Sequence, residues 1–571
     1  MTTNEEHKLT GYPSIDKPWL KYYSKQDIEA QLPQGNMYDY LVERNKNRMS
    51  DVAFAYMGKN VSFDEFFTNI EMTAKAFCRA GVRKGSVVSI CVLTMPEFLY
   101  SLYALNRIGA ICNFIAVNAT QEIMERQIVS SGSEVLVAID FVLPKVKELI
   151  EKGKIKKIIV SSLRDSMPPF LSLVTAFKFH SNYKDNAQVT KWKDFVRDGR
   201  KEIPKYADSD ETLPAIIEYT SGTTGEPKGA VLANKAANAI AFNYAHMNDM
   251  LVFNKGEIYM DILPPFYSYG VFFGAHMPLC LGLRVVLIPN PAPEAFPAYF
   301  RKYKPNHFGG GPLHIENLIK DSKVQKMDLS FLKTAAFGGD GVDREWEKTV
   351  STFLSDHGAK NGVNQGYGMT EMAGPFCACA HKYDFMLPFV KNNIKIIDTD
   401  TKQELGYDQD GEICVSGPSM MECYYNQPNK MDEITWVEDG VRWLRTGDLG
   451  RITKEGHFVV SGRLKRIYWT VGREGIFRVY PMKIEDVILS SGLVEQCAVI
   501  GRKDKEKGYI SIAYIVPKNK NDSQETIKKL TQLCEEKLEE TSRPVEYHTI
   551  DTLPTTQAGK VDYKRMEEEK L

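Results

Sequence analysis

From residue 63 onward the chain alternates short, almost continuously apolar runs with stretches of helical period. That alternation constrains the fold more than any other feature. Phe66, Ile70, Ala74 and Phe77 recur at near-helical spacing before Gly81 and Gly85, which predicts a helix closed by glycine. Apolar runs at 87–93, 110–116, 135–139 and 157–160 predict buried strands, with a helix at 97–108 ending at Gly109. Strands that are apolar on both faces and separated by helices belong to parallel sheets covered on both sides. The pattern resumes with a helix at 235–250, a strand at 258–263, a helix after Pro312 and a strand at 332–337. Residues before 60, aromatic and polar, read as an ordered lead-in arm, and 165–208 as a polar, irregular surface excursion.

The texture changes near residue 394. Shorter strands and tight turns at 411–417, 443–450 and 455–463 predict a small antiparallel, barrel-like module at about 394–463. The last hundred or so residues hold two helices (484–490, 523–537) and two strands (497–500, 510–516), a compact α+β unit. With 571 residues the chain is long enough for ~4 domain-sized units. The expected fold is α/β: a large N-terminal domain of doubly wound sheets, 1–463, and a small α+β domain, 464–571.

Between two of the predicted elements stands 219–229, YTSGTTGEPKG, directly after the apolar run 213–217. A loop of glycines and hydroxyls leaving a buried strand presents backbone N–H groups and O–H donors to an anion, and Lys228 adds a point charge. A polyphosphate is the fitting guest. The loop is not a Walker A sequence, because Lys228 follows Pro227 rather than sitting in a Gly-Lys-Ser/Thr run that opens a helix. Three further glycine-rich strand ends lie at 309–312, 338–341 and 363–371, and doubly wound sheets bind ligands at such ends.

Composition removes several alternatives. A net charge of −1 gives no electrostatic reason to expect nucleic acid or an anionic membrane. Ten cysteines lie scattered without CxxC pairs, which argues against zinc and for reduced thiols in a cytoplasmic protein. The polar first ten residues are not a secretory signal. The most apolar segment, 271–283, contains His276 and Pro278, is too short to span a bilayer, and reads as a buried helix.

In order along the chain, YTSGTTGEPKG, GYGMTE (366–371), RTGDLG (445–450) and LPTT…GK (553–560) resemble the adenylate-forming superfamily. Its members include acyl-CoA synthetases, aryl-CoA ligases, firefly luciferase and peptide-synthetase adenylation domains. The resemblance covers about 63–562 and implies two half-reactions: formation of an acyl-AMP with release of pyrophosphate, then displacement of AMP by a thiol.

What the resemblance implies for individual residues follows. Thr220, Ser221, Gly222, Thr223, Thr224, Gly225 and Lys228 match the loop that holds the β- and γ-phosphates of ATP. Glu371 matches the Mg²⁺ ligand, and Thr370 beside it touches phosphate. Tyr367 stacks on adenine, with Gly339 and Asp340 on the other side and Gln365, Gly366, Gly368 and Met369 completing the nucleotide strand. Asp448 accepts from the ribose hydroxyls, assisted by Arg463. Lys560 neutralises charge between the carboxylate and the α-phosphate. Lys465 falls at the hinge about which the small, mobile C-terminal domain rotates.

The sequence also departs from that pattern. The segment 467–481 is a few residues longer than the usual glycine-centred turn, and that turn lines the thiol tunnel. Trp469 stands where luciferases carry lysine; Asn234 and Asp340 replace a frequent histidine and a frequent alanine. The aromatic turn at 266–269, Phe-Tyr-Ser-Tyr, lacks the aspartate that pairs with an amino acid's ammonium. Tyr267 and Tyr269 are therefore expected to wall a pocket for an apolar fatty or aryl acid. Coenzyme A is the expected acceptor. The alternatives are a phosphopantetheine arm on a carrier protein, or a non-catalytic nucleotide-binding protein.

Overall fold

The computed structural model of the chain describes residues 9–174, 186–220, 227–247, 251–339, 344–379, 385–472, 475–519, 522–555 and 560–569. Two large sheets dominate. The first runs, edge to edge, Cys423–Tyr424, Gly229–Ala233, Pro214–Tyr219, Ile111–Phe114, Val87–Cys91, Val135–Ile139, Lys157–Ser161, Val189–Lys191. It is parallel from Pro214–Tyr219 outward, while Gly229–Ala233 folds back antiparallel as a hairpin. The second has a parallel centre of Val363–Met369, Thr334–Gly338, His307–Gly310, Ile258–Asp261, Arg284–Leu287 and Val52–Tyr56. These are the near-continuous apolar strands of a doubly wound architecture.

Local chemistry explains the helices that cover the sheets. Phe63–Arg79 begins at Ser62, whose side chain accepts from the Glu65 N–H, and buries Phe66, Ile70, Ala74 and Phe77. Pro96–Ile108 starts on proline and ends where Gly109 turns left-handed at φ +81°.

The expected antiparallel module is present as Asn393–Ile397, Gly411–Ser416, Val441–Ile452 and Phe458–Arg463. It is joined to the second sheet rather than standing apart. Gly374–Cys379 returns antiparallel from Val363–Met369, Met386–Pro388 pairs antiparallel with it, and one pair, Met386↔Phe458, links them to the module.

Two regions depart from expectation. The lead-in arm carries the strands Val52–Tyr56 and Lys59–Ser62, which finish the second sheet. Their turn places Met57 at φ +50° and Gly58 at +91°, the geometry a two-residue hairpin demands, with methionine where Asn or Asp is the readable signal. The stretch expected to be irregular holds the edge strand Val189–Lys191 and the helix Trp192–Gly199. Trp192 and Phe195 are buried, and Gly199 lies so close to Ala76 that a Cβ would stand 2.3 Å from its Cα. Few apolar residues suffice there because two of them are large aromatics.

Beyond Leu464–Arg466 the chain forms a hairpin, Tyr468–Gly472 with Gly475–Val479, and a three-stranded sheet. Alternate residues of that sheet enter two cores: Cys497, Val499, Ala513 and Ile515 on one face, Ala498, Ile500, Ile512 and Tyr514 on the other. Neither core shares a residue with the large cluster of the preceding chain.

Candidate functional site

The phosphate-type loop is flanked by the two strands of a hairpin, Pro214–Tyr219 and Gly229–Ala233. Tyr219 pairs with Gly229, the Thr220 N–H donates to the Lys228 carbonyl at 2.9 Å, and the Lys228 N–H donates to Thr220 Oγ1 at 3.2 Å. These bonds close a neck beneath the loop. Ser221, Gly222, Thr223, Thr224, Gly225 and also Asp340 lie outside the described residues.

Facing this neck is the end of Val363–Met369. The chain passes through a 3₁₀ turn, Thr370–Met372, reverses at Ala373 (φ +56°) and Gly374 (φ +114°), and runs back. Gly368 is required by the reversal, since a Cβ there would stand 2.0 Å from the Gly374 carbonyl oxygen. The turn holds Thr370 and Glu371 at the rim. Tyr424 hydroxyl donates to Glu371 Oε1 at 2.7 Å, and the Met421 N–H donates to the Glu371 carbonyl at 2.8 Å. The Lys228 ammonium sits 4.9 Å from the centre of the Tyr424 ring. Burial and then the Glu371 charge push the Tyr424 hydroxyl far above its ordinary range, so it stays a donor. Nothing in the sequence singles out Tyr424. It stands in no motif, and only the meeting of the two sheets brings it to Glu371.

A second group forms on the antiparallel module. Asp448 and Arg463 are cross-strand partners, and Tyr367 hydroxyl donates to Asp448 Oδ2 at 2.7 Å. Arg463 Nε lies 3.0 Å from Oδ1 as an ion pair, without the alignment of a hydrogen bond. The Tyr367 ring packs edge-on to Phe376 at 5.1 Å and tilted on Phe458 at 5.3 Å. Burial raises the Asp448 carboxyl above its ordinary value, opposed by Arg463, by the Tyr367 hydroxyl and by the charge of Lys560.

Gln365 and Gly366 line a narrow cavity on the other side of the nucleotide-type strand. Tyr269 lines it too, stacked on Phe273 at 4.8 Å and 14°, whereas Tyr267 is turned toward Phe266 at 4.8 Å. Gly338 separates Gly366 from Tyr269, and Gly339 beyond it takes φ +85°. Gly368 is exposed and Met369 half-buried at the rim.

Lys465 is exposed in the turn Leu464–Arg466, and its charge, with that of Lys228, acts on Glu433. Its neighbour Arg466 reaches into the C-terminal unit, 2.5 Å from Glu485 Oε1 and 3.8 Å over the Tyr563 ring. The long 467–481 segment is the hairpin already described. Arg478 lies 4.6 Å over Trp469, donates to Thr399 Oγ1 at 2.6 Å and pairs with Asp400.

Lys228, Glu371 and Tyr424 thus meet where the two large sheets join, and Tyr367, Asp448 and Arg463 meet on the antiparallel module. The chain belongs to the AMP-binding enzyme family: its model matches 41–425, and the model of the AMP-binding enzyme C-terminal domain matches 483–560. A long-chain-fatty-acid–CoA ligase of Bacillus subtilis is 26% identical, over 97% of this chain and 98% of its own length. A 4-coumarate–CoA ligase of Humulus lupulus is 26% identical over 88% of each. The crystal structure of an anthranilate CoA ligase in complex with anthranoyl-AMP shares the fold with a TM-score of 0.79, at 20% identity, over 95% of this chain and 98% of that one.

Proposed function

We propose that the chain is an AMP-forming acid–thiol ligase that activates an apolar carboxylic acid with ATP and passes the acyl group to coenzyme A. One observation carries the reading: Lys228 and Glu371, joined through Tyr424, stand at the neck of the polyphosphate loop, while the charge of Lys560 acts on Asp448 in the Tyr367–Asp448–Arg463 group. In the first step a carboxylate oxygen attacks the α-phosphorus, the bond to the β-phosphate oxygen breaks, and pyrophosphate leaves. Such chemistry asks the protein for position and charge neutralisation rather than covalent help. Residues 220–228 hold the departing phosphates, Tyr367 stacks on adenine beside Gly339, and Asp448 takes the ribose hydroxyls. Lys560 neutralises the reacting oxygens. In the second step a thiol, losing its proton, attacks the acyl carbon and AMP departs.

Glu371 suits the Mg²⁺ that enters with ATP. Its Oε1 is fixed by Tyr424 and its carboxylate is the hard oxygen donor that ion takes. The metal would supply charge neutralisation on the phosphates; the protein's part is to hold Glu371 still. The division at 463/464, with Lys465 as hinge, belongs to the same proposal and is supported by the separate cores of the C-terminal unit. So does a cytoplasmic location, supported by ten cysteines outside disulfides, eight of them buried. Among the described residues no helix is long and apolar enough to cross a membrane.

The test is AMP and pyrophosphate release with ATP, CoA and a panel of acids. Acid-dependent release of both supports the reading, and no release with any acid sinks it. The lengthened hairpin gives a carrier-protein acceptor a specific ground, so a carrier bearing phosphopantetheine is run beside CoA. The true acceptor is the one that speeds turnover.

A further inference from the structure

Tyr424 reaches the Glu371 carboxylate from a very short strand, Cys423–Tyr424, paired with Val231 and Ala230 at the edge of the first sheet. The Glu422 N–H donates to the Val231 carbonyl at 2.8 Å, and the Tyr425 N–H to the Gly229 carbonyl at 2.7 Å. So short a ladder fixes the segment on one side only. The other side is held by Arg442. Its Nη2 donates to the Met421 carbonyl, its Nη1 to the Glu422 carbonyl at 3.4 Å, and its Nε to Met420 Sδ at 3.1 Å.

A guanidinium presents its donors in a rigid planar fork, so acceptors on three successive residues are fixed in one geometry. The peptide between Met421 and Glu422 accepts from Arg442 at its carbonyl and donates to Val231 from its N–H. Hydrogen bonds in series polarise and strengthen one another. The clamped segment then touches Glu371 twice. The Met421 N–H donates to its carbonyl at 2.8 Å, and the Tyr424 hydroxyl to its carboxylate at 2.7 Å. Arg442 stands on Val441–Ile452, six positions before Asp448 and outside the RTGDLG run. One strand therefore carries Asp448 and also clamps the segment that holds Glu371.

We infer that Arg442 is a positioning residue for acyl-AMP formation, acting through the 420–424 segment to hold Tyr424 and Glu371 in place for Mg·ATP. The inference rests on the adenylating reading above and adds to it a residue outside the nucleotide motifs.

The experiment compares the wild type with Arg442→Met, Arg442→Lys, Tyr424→Phe and the double variant carrying Arg442→Met and Tyr424→Phe. Pyrophosphate release is titrated against Mg²⁺, and Mg·ATP binding is measured by calorimetry. Arg442→Met should slow release by about tenfold and raise the Mg²⁺ needed for half the maximal rate. Thioester formation from supplied acyl-AMP should stay within a few-fold. Arg442→Lys keeps the charge without the fork and should recover part of the rate. Both side chains act on one carboxylate, so Arg442→Met should cost less in the Tyr424→Phe background than in the wild type. Equal loss of both half-reactions, an unmoved Mg²⁺ requirement, or the same cost in both backgrounds overturns the inference. Should Arg442→Met fail to fold, Arg442→Lys in the two backgrounds carries the same comparison. Should no acid release pyrophosphate from the wild type, the adenylating reading fails, and calorimetry decides whether Arg442 places Glu371. Weaker Mg·ATP binding in the Arg442 variants then upholds the placement, equal binding overturns it, and no binding to the wild type overturns both.

Discussion

Tyr424 hydroxyl donates to Glu371 Oε1 at 2.7 Å across the junction of the two large sheets. One residue lies on an edge strand of the first sheet, the other on the turn that ends a central strand of the second. The bond therefore sets the distance between the phosphate loop's lysine, which rests on the Tyr424 ring, and the carboxylate that faces it.

Tyr424→Phe removes that bond and little else, since the ring remains. A hydrogen bond to a charged group contributes about 1.5–3 kcal/mol, so acyl-AMP formation should slow by roughly ten- to a hundredfold. Pyrophosphate release titrated against Mg·ATP is the measurement. An unchanged rate would mean that Glu371 is positioned by its backbone alone.

Asp448 gives a pH dependence of known sign. Burial holds its carboxyl above the ordinary 3.8 despite Arg463, Tyr367 and Lys560, so it takes up a proton at a higher pH than a free aspartate. Only the ionised form accepts from both ribose hydroxyls. ATP affinity is full above the raised value and falls as pH drops through it. The acid limb of kcat/KM for ATP should vanish in Asp448→Asn, at a lower plateau; an identical limb in the variant assigns it elsewhere.

Lys560→Ala separates the half-reactions. Loss of a charge that meets the developing negative oxygens is expected to cost acyl-AMP formation roughly 10²–10³-fold. Thioester formation from supplied acyl-AMP should persist within a few-fold. Equal loss of both steps would mean that Lys560 does not act on the adenylation step alone.

The Arg478 contacts with Thr399 and Asp400 tie the long hairpin to the turn after Asn393–Ile397. Asp400 is largely exposed, so the pair contributes little to global stability. Asp400→Ala should leave thermal unfolding nearly unchanged yet raise proteolytic cleavage near Lys465 a few-fold. Cleavage at the wild-type rate would show that the tie does not restrain the unit.

Most of the architecture was legible because apolar runs such as 135–139 and 157–160 have only one stable use, as strands buried on both faces. Asp448 and Tyr367 stand out in the sequence by their motifs, but their mutual hydrogen bond does not, because it depends on how the antiparallel module closes onto the parallel strands. Tyr424 was hidden for the same reason, standing 53 positions along the chain from its partner. The edge pieces at 52–62 and 189–199 were missed because methionine replaces the usual turn residue in one and two aromatics replace an apolar run in the other.

Among the described residues, Met386↔Phe458 is the single strand pair by which the antiparallel wing joins the rest of the second sheet. Tyr367 stands on one side of that seam and Asp448 on the other. A nucleotide resting its base on the first and its sugar on the second would add a second fastening across that seam to the Tyr367–Asp448 hydrogen bond.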